Sequence, residues 1–127
     1  MGDKELLERG WAIRKRLWPD SGGGGVEVFR ALDPDYAEFV VEHAYGATYG
    51  DPTLDLRTRS LLTCALLTAA GRVRLLNRHL RGALNIGISP AELVAVFKQT
   101  ALYAGMPAAN DAFKLLTEIL DESKPAG

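Results

Sequence analysis

The sequence predicts an all-α protein, a compact bundle of about six helices around a central antiparallel hairpin. Three observations predict it. No stretch alternates apolar and polar residues with the period of two that a half-buried strand needs. Apolar residues recur instead at three- and four-residue spacing. Helix-start and helix-stop residues (Asp33-Pro34, Asp55, Gly71, Gly87, Ser89-Pro90, Gly105) punctuate the chain at helical lengths.

Lys4 to Leu17 carries Leu6, Leu7, Ala12, Ile13 and Leu17 among charges, and Pro19 stops it. Ser21 to Gly25 is a flexible break, too near the N-terminus to separate domains. Residues 1–25 therefore read as an N-terminal arm and Gly-rich loop of a single domain spanning 1–127. A short helix covers Val26 to Leu32. Asp33 as cap and Pro34 in the first turn open the next helix, through Tyr36, Phe39, Val40 and His43, which ends between Gly46 and Gly50. Asp55 caps Leu56 to Ala70, whose apolar residues run nearly all round; it is expected as the central helix, covered on every side. Gly71 closes it, and a single glycine before Arg72 to Ile86 implies the hairpin. Gly87 is the left-handed residue after that helix. Ser89-Pro90-Ala91-Glu92 is a capping box opening a helix to Tyr103, which Gly105 and Pro107 stop. Ala108 to Leu120 is the last helix, with Ala109, Ala112, Phe113, Leu116, Ile119 and Leu120 on one face.

Composition excludes several function classes. The chain has 127 residues, 15 basic against 16 acidic, a net charge of -1 and 47% hydrophobic residues, which is ordinary globular usage. Near-neutral charge gives no electrostatic footprint for nucleic acid or an anionic membrane. The longest apolar-rich run, Leu61 to Ala70, is far shorter than the ~20 residues a membrane span needs. The N-terminus lacks a secretory pattern, and Leu6 fails the myristoylation motif, so a cytoplasmic protein is expected. One cysteine makes no internal disulfide, CxxC pair or cysteine zinc site.

Few residues can carry chemistry. On a wheel at ~100° per residue, Val73, Leu75, Leu76, Leu80, Ala83, Leu84 and Ile86 share a face, and His79 falls within it, between Leu75 and Ala83. Two readings stand for His79: a buried neutral imidazole bonded to a carbonyl, or a general acid or base. His43 reads as a partly exposed histidine near a helix end. No HExxH or His/carboxylate spacing supports a metal. Cys64 reads as an inert core thiol. Arg57 and Arg59 open a helix whose dipole disfavours cations there, which points to a carboxylate of the protein (Asp51 or Asp55) or to an anionic ligand.

Leu54-Asp55-Leu56-Arg57-Thr58-Arg59-Ser60-Leu61-Leu62, Ala69-Ala70-Gly71-Arg72 and His79-Leu80-Arg81-Gly82-Ala83-Leu84-Asn85-Ile86-Gly87-Ile88-Ser89 resemble the carboxymuconolactone decarboxylase family, as does Gln99-Thr100-Ala101-Leu102-Tyr103-Ala104-Gly105-Met106-Pro107 downstream. The start of the chain, Glu8-Arg9-Gly10 and Arg14 to Leu17, is similar to γ-carboxymuconolactone decarboxylases. The resemblance implies an alkylhydroperoxidase-D-like fold assembled as a homohexamer or homotrimer. It also implies conversion of 4-carboxymuconolactone to 3-oxoadipate enol-lactone, without cofactor, in aromatic catabolism.

The thiol peroxidases of that fold use a Glu, a CxxC pair and a following His. Here the His is His79, whereas the Glu and Cys positions hold Ser60, Arg72 and Leu75. Peroxidase chemistry is therefore excluded. For the decarboxylase, the resemblance implies His79 as general acid, Arg59 as the group holding a carboxylate, and Tyr49, Gln99 and Tyr103 as substrate-binding residues. The family's Gly-Glu-(apolar)-Trp reads Gly46-Ala47-Thr48-Tyr49 here. Ala47 in place of the Glu keeps open a different substrate, or a non-catalytic oligomeric member that binds a small ligand.

Overall fold

A computed structural model describes residues 3–122. Met1 and Gly2, read above for targeting signals, and residues 123–127 lie outside the described residues. Helices α1 (Asp3–Leu17), α2 (Glu27–Arg30), α3 (Pro34–Phe39), α4 (Leu56–Ala70), α5 (Val73–Asn85), α6 (Pro90–Ala104) and α7 (Met106–Glu122) are joined by a π-helical segment, Val40–Tyr49, and a 3-10 turn, Pro19–Ser21. No strand occurs among the described residues, so the protein is all-α.

Two compact units divide the chain, one ending at Arg59 and the other starting at Ser60. In the first, Val26, Ala37 and Val41 form the core, with Leu7, Trp11, Phe29 and Val40 packed on it. Trp18 is buried here too. Helix α1 lies against the π-helical segment so closely that a methyl group on Gly10 would run into the Val41 carbonyl, and one on Gly46 into the Leu6 carbonyl. Arg9 Nε donates to Gly46 O at 2.8 Å across the same seam. The predicted helix from Asp33 does form. The Asp33 carboxylate accepts from the backbone N–H groups of Asp35 (3.1 Å) and Tyr36 (3.2 Å). After Phe39 the helix widens to π geometry and runs on to Tyr49.

The second unit has a larger apolar core of Cys64, Leu76, Leu80, Ala83, Ile88, Leu93, Phe97, Ala112, Leu115, Leu116 and Ile119. Cys64 Sγ lies 3.7 Å from His79 O, so α5 folds back along α4 as the hairpin predicts. Both hairpin helices end alike. Arg72 N–H bonds Leu67 O and Ile88 N–H bonds Ala83 O, each at 3.0 Å, around the left-handed Gly71 (φ 69°) and Gly87 (φ 93°). The capping box also forms, with Glu92 N–H on Ser89 Oγ and Ser89 N–H on Glu92 Oε1.

Three expectations need correction. Pro107 does not stop α6: it sits in the first turn of α7, where its missing N–H costs nothing, and left-handed Gly105 (φ 96°) makes the break. Helix α4 is not covered on every side by its own chain. Leu62 and Leu66 remain 47% and 67% exposed, while the smaller Ser60, Cys64 and Thr68 are the buried residues of this helix. The apolar face of α5 is narrower than the wheel drew it. Leu76, Leu80 and Ala83 are buried, but Val73 and Leu75 are exposed, so His79 sits at the edge of that face, half-buried.

Candidate functional site

Arg59 and Tyr49 belong to the first unit; His79, Gln99 and Tyr103 belong to the second. Asp55 caps α4 by accepting from Thr58 N–H at 2.8 Å, which holds its carboxyl below the usual aspartate range. Arg59, one turn along, reaches back over the preceding turn. Its Nε donates to Leu54 O at 3.2 Å and its Nη2 to Asp51 O at 3.1 Å, with Asp51 Oδ2 at 4.0 Å. The Asp51 carboxyl is itself lowered, first by the Thr53 N–H and, to a smaller extent, by Arg59. The cation at this helix start is thus matched to a protein carboxylate, one of the two partners its placement pointed to. These bonds also fix the guanidinium, and its side chain is only 15% exposed.

Tyr49 ends the π-helical segment, half-buried and stacked on Tyr45 with ring centroids 4.9 Å apart. Tyr45 in turn covers one side of Arg14, a cation only 3% exposed, whose guanidinium carbon lies 4.6 Å from the Tyr45 ring and 4.9 Å from the Trp18 ring. Arg14 Nε and Nη2 donate to Gly23 O and Gly24 O at 2.8 and 2.9 Å. A buried arginine stapling the Gly-rich loop was not legible beforehand. Its only sequence signal was a cation placed one turn before a tryptophan.

In the second unit, His79 is held on α5 opposite Cys64, whose thiol donates weakly to the His79 carbonyl. Burial pushes the Cys64 thiol up to about 12, so sulfur supplies no thiolate near neutral pH. Gln99 and Tyr103 lie on exposed positions of α6; Tyr103 is 85% exposed beside Leu102 and Met106, also strongly exposed. His43 is exposed and packs on Phe39 at 4.5 Å. Among the described residues no group of three or more His, Cys, Asp or Glu side chains is placed to hold a metal ion. No helix among them is long and apolar enough to cross a membrane.

Sequence reasoning gave little weight to one residue on α4. Ser60 is buried, and its Oγ has no hydrogen-bond partner among the described residues. The signal was the four-residue spacing of Ser60, Cys64 and Thr68, a polar stripe in an otherwise leucine-rich helix.

The described residues thus form an all-α hairpin in which Cys64 is a buried, protonated thiol and His79 stands half-buried on the facing helix. The carboxymuconolactone decarboxylase family profile matches residues 34–118, and the chain belongs to that family. It is 31% identical over 123 residues to the 4-carboxymuconolactone decarboxylase of Acinetobacter baylyi, covering 96% of this chain and 92% of that one. It is also 31% identical over 91 residues to the nitrosuccinic acid decarboxylase npaB of Metarhizium robertsii, covering 68% and 64%. An uncharacterized 15.0 kDa protein of Paracoccus denitrificans is 24% identical over 121 residues, covering 94% and 90%.

Proposed function

We propose that the protein is a cofactor-independent decarboxylase of small carboxylated lactones or related acids, with 4-carboxymuconolactone to 3-oxoadipate enol-lactone as the leading reaction. The observation that carries this reading is the near full-length similarity to a relative bearing that activity in its name. The second relative is named for nitrosuccinic acid, and the two substrates share a chemical logic. In each, the bond to a departing carboxylate breaks beside a group, an unsaturated lactone or a nitro group, that accepts the electron pair. With the electron sink in the substrate, the protein needs only to hold the acid and return a proton to carbon.

His79 is the proton donor: the carbon–carboxylate bond breaks, CO2 leaves, the electron pair enters the conjugated lactone, and imidazolium protonates the ring carbon. Solvent then restores the proton. Arg59 holds a carboxylate, its guanidinium fixed by the 51–54 turn. Tyr49, Gln99 and Tyr103 contact the rest of the acid. The chain acts as a homo-oligomer, a hexamer or trimer, in which a neighbouring copy covers the exposed Leu102, Tyr103 and Met106. A monomeric mass in light scattering would contradict the assembly.

Incubating the protein with 4-carboxymuconolactone and with nitrosuccinate, and following CO2, tests the reaction. Release from either supports the class, and the faster one identifies the electron sink. Saturable binding without CO2 release would mark a non-catalytic ligand-binding member, as the Ala47 substitution allows.

A further inference from the structure

The buried hydroxyls of the second unit are not equivalent. Thr68 Oγ1 donates to Cys64 O at 2.7 Å and Thr100 Oγ1 to Val96 O at 2.8 Å, each satisfied by the carbonyl one turn back. Ser60 is equally buried, at 1% exposure, yet its Oγ makes no such bond. A buried hydroxyl left unpaired is unfavourable by the full cost of its desolvation, so its missing partner needs a reason. Ser60 lies one turn from Cys64 on the same face of α4, and Cys64 touches the His79 carbonyl. Ser60 therefore shares the face of α4 that meets the helix carrying His79. The core along that seam is apolar, with Cys64, Leu80 and Ala83 all fully buried.

We propose that Ser60 is a substrate-binding residue of the decarboxylation site, donating its hydroxyl proton in a hydrogen bond to the uncharged acceptor oxygen of the substrate, the lactone carbonyl. This rests on the decarboxylase reading above. An apolar seam penalises a carboxylate but tolerates a carbonyl, and a neutral O–H donor suits a neutral acceptor. When CO2 leaves, the electron pair moves onto that lactone oxygen, so the bond to Ser60 strengthens as negative charge develops there. Ser60 thereby favours acids whose electron sink carries an oxygen acceptor.

The test pairs Ser60→Ala with wild type below both melting midpoints. Because the bond gains strength in the transition state, kcat for 4-carboxymuconolactone falls about tenfold or more, while KM changes little. Removing an unpaired hydroxyl leaves the melting temperature equal or higher, whereas Thr100→Val, which removes a satisfied one, lowers it. Unchanged kcat in Ser60→Ala, with wild type active, overturns the role of Ser60 and leaves the decarboxylase reading intact. If wild type itself releases no CO2, that reading fails. Ser60 is then judged by thermal shift with the same lactone acid lacking the departing carboxylate. Stabilisation of wild type but not of Ser60→Ala supports the contact; equal shifts, or none in either protein, overturn it.

Discussion

The two units reach stability by different means. In the first, main chain meets main chain: α1 and the π-helical segment close on Gly10 and Gly46, and arginine side chains pin carbonyls at Gly46, Gly23 and Gly24. In the second, side chains do the work, with Phe97, Leu80, Leu93 and Leu76 fully or almost fully buried and a bidentate pair, Arg81 to Glu122, at the surface. The first arrangement tolerates no added atom at its seam; the second tolerates no lost one. Both tryptophans, Trp11 and Trp18, belong to the first unit. Tryptophan fluorescence therefore reports that unit, and far-UV circular dichroism reports both.

The largest effect is expected from emptying the second core. Phe97, fully buried and edge-on to Phe113 at 5.3 Å, leaves a cavity as Phe97→Ala and lowers stability by about 3–5 kcal/mol in denaturant titration. Next comes Gly46→Ala. Helix propensity alone would make it stabilising by roughly 0.5–1 kcal/mol. The Leu6 carbonyl reverses the sign, and a loss of about 2–3 kcal/mol is expected in the fluorescence transition. Arg14→Lys keeps the charge but loses the planar fork that meets two carbonyls and two rings, for about 1–2 kcal/mol in the same titration.

The smallest effect is expected at the exposed Arg81–Glu122 pair, which contributes little at neutral pH. The hydrogen bonds from Arg81 hold the Glu122 carboxyl below the usual glutamate range. A lowered carboxylate pKa gives stability present above the unfolded value and lost as pH falls through the folded one, so this contribution disappears near and below about pH 4. Glu122→Gln should remove that part of the acid sensitivity and leave the melting temperature at neutral pH almost unchanged.

That contrast also explains what could be read in the sequence. The second unit was legible because its signals are local: the capping box at Ser89, the closing glycines 71 and 87, and the leucine spacing of α5 each act within a turn or two. The first unit was less so. Nothing in Val40 to Tyr49 marks a switch from α to π geometry, and the segment that widens is the one packed closely against α1. The glycines at 10 and 46 carry a packing requirement visible only once their partners are opposite them.

The candidate site divides in the same way. His79 was found because an imidazole among leucines breaks a pattern. Ser60 was read only as the residue standing at the peroxidase Glu position, because a serine in a helix breaks no pattern; its missing hydrogen bond is what draws attention to it. The wheel placed His79 within the apolar face, between Leu75 and Ala83, because it weights every leucine alike, whereas Leu75 proves exposed.

The central claim is that imidazole at position 79 returns the proton after CO2 departs. Single-turnover and steady-state CO2 release from 4-carboxymuconolactone, measured for wild type and His79→Ala at matched folding, tests it most directly. The account predicts turnover by wild type without added cofactor and a kcat lowered about 10²–10⁴-fold in His79→Ala, with the circular dichroism spectrum unchanged. Equal kcat in the two proteins would contradict it.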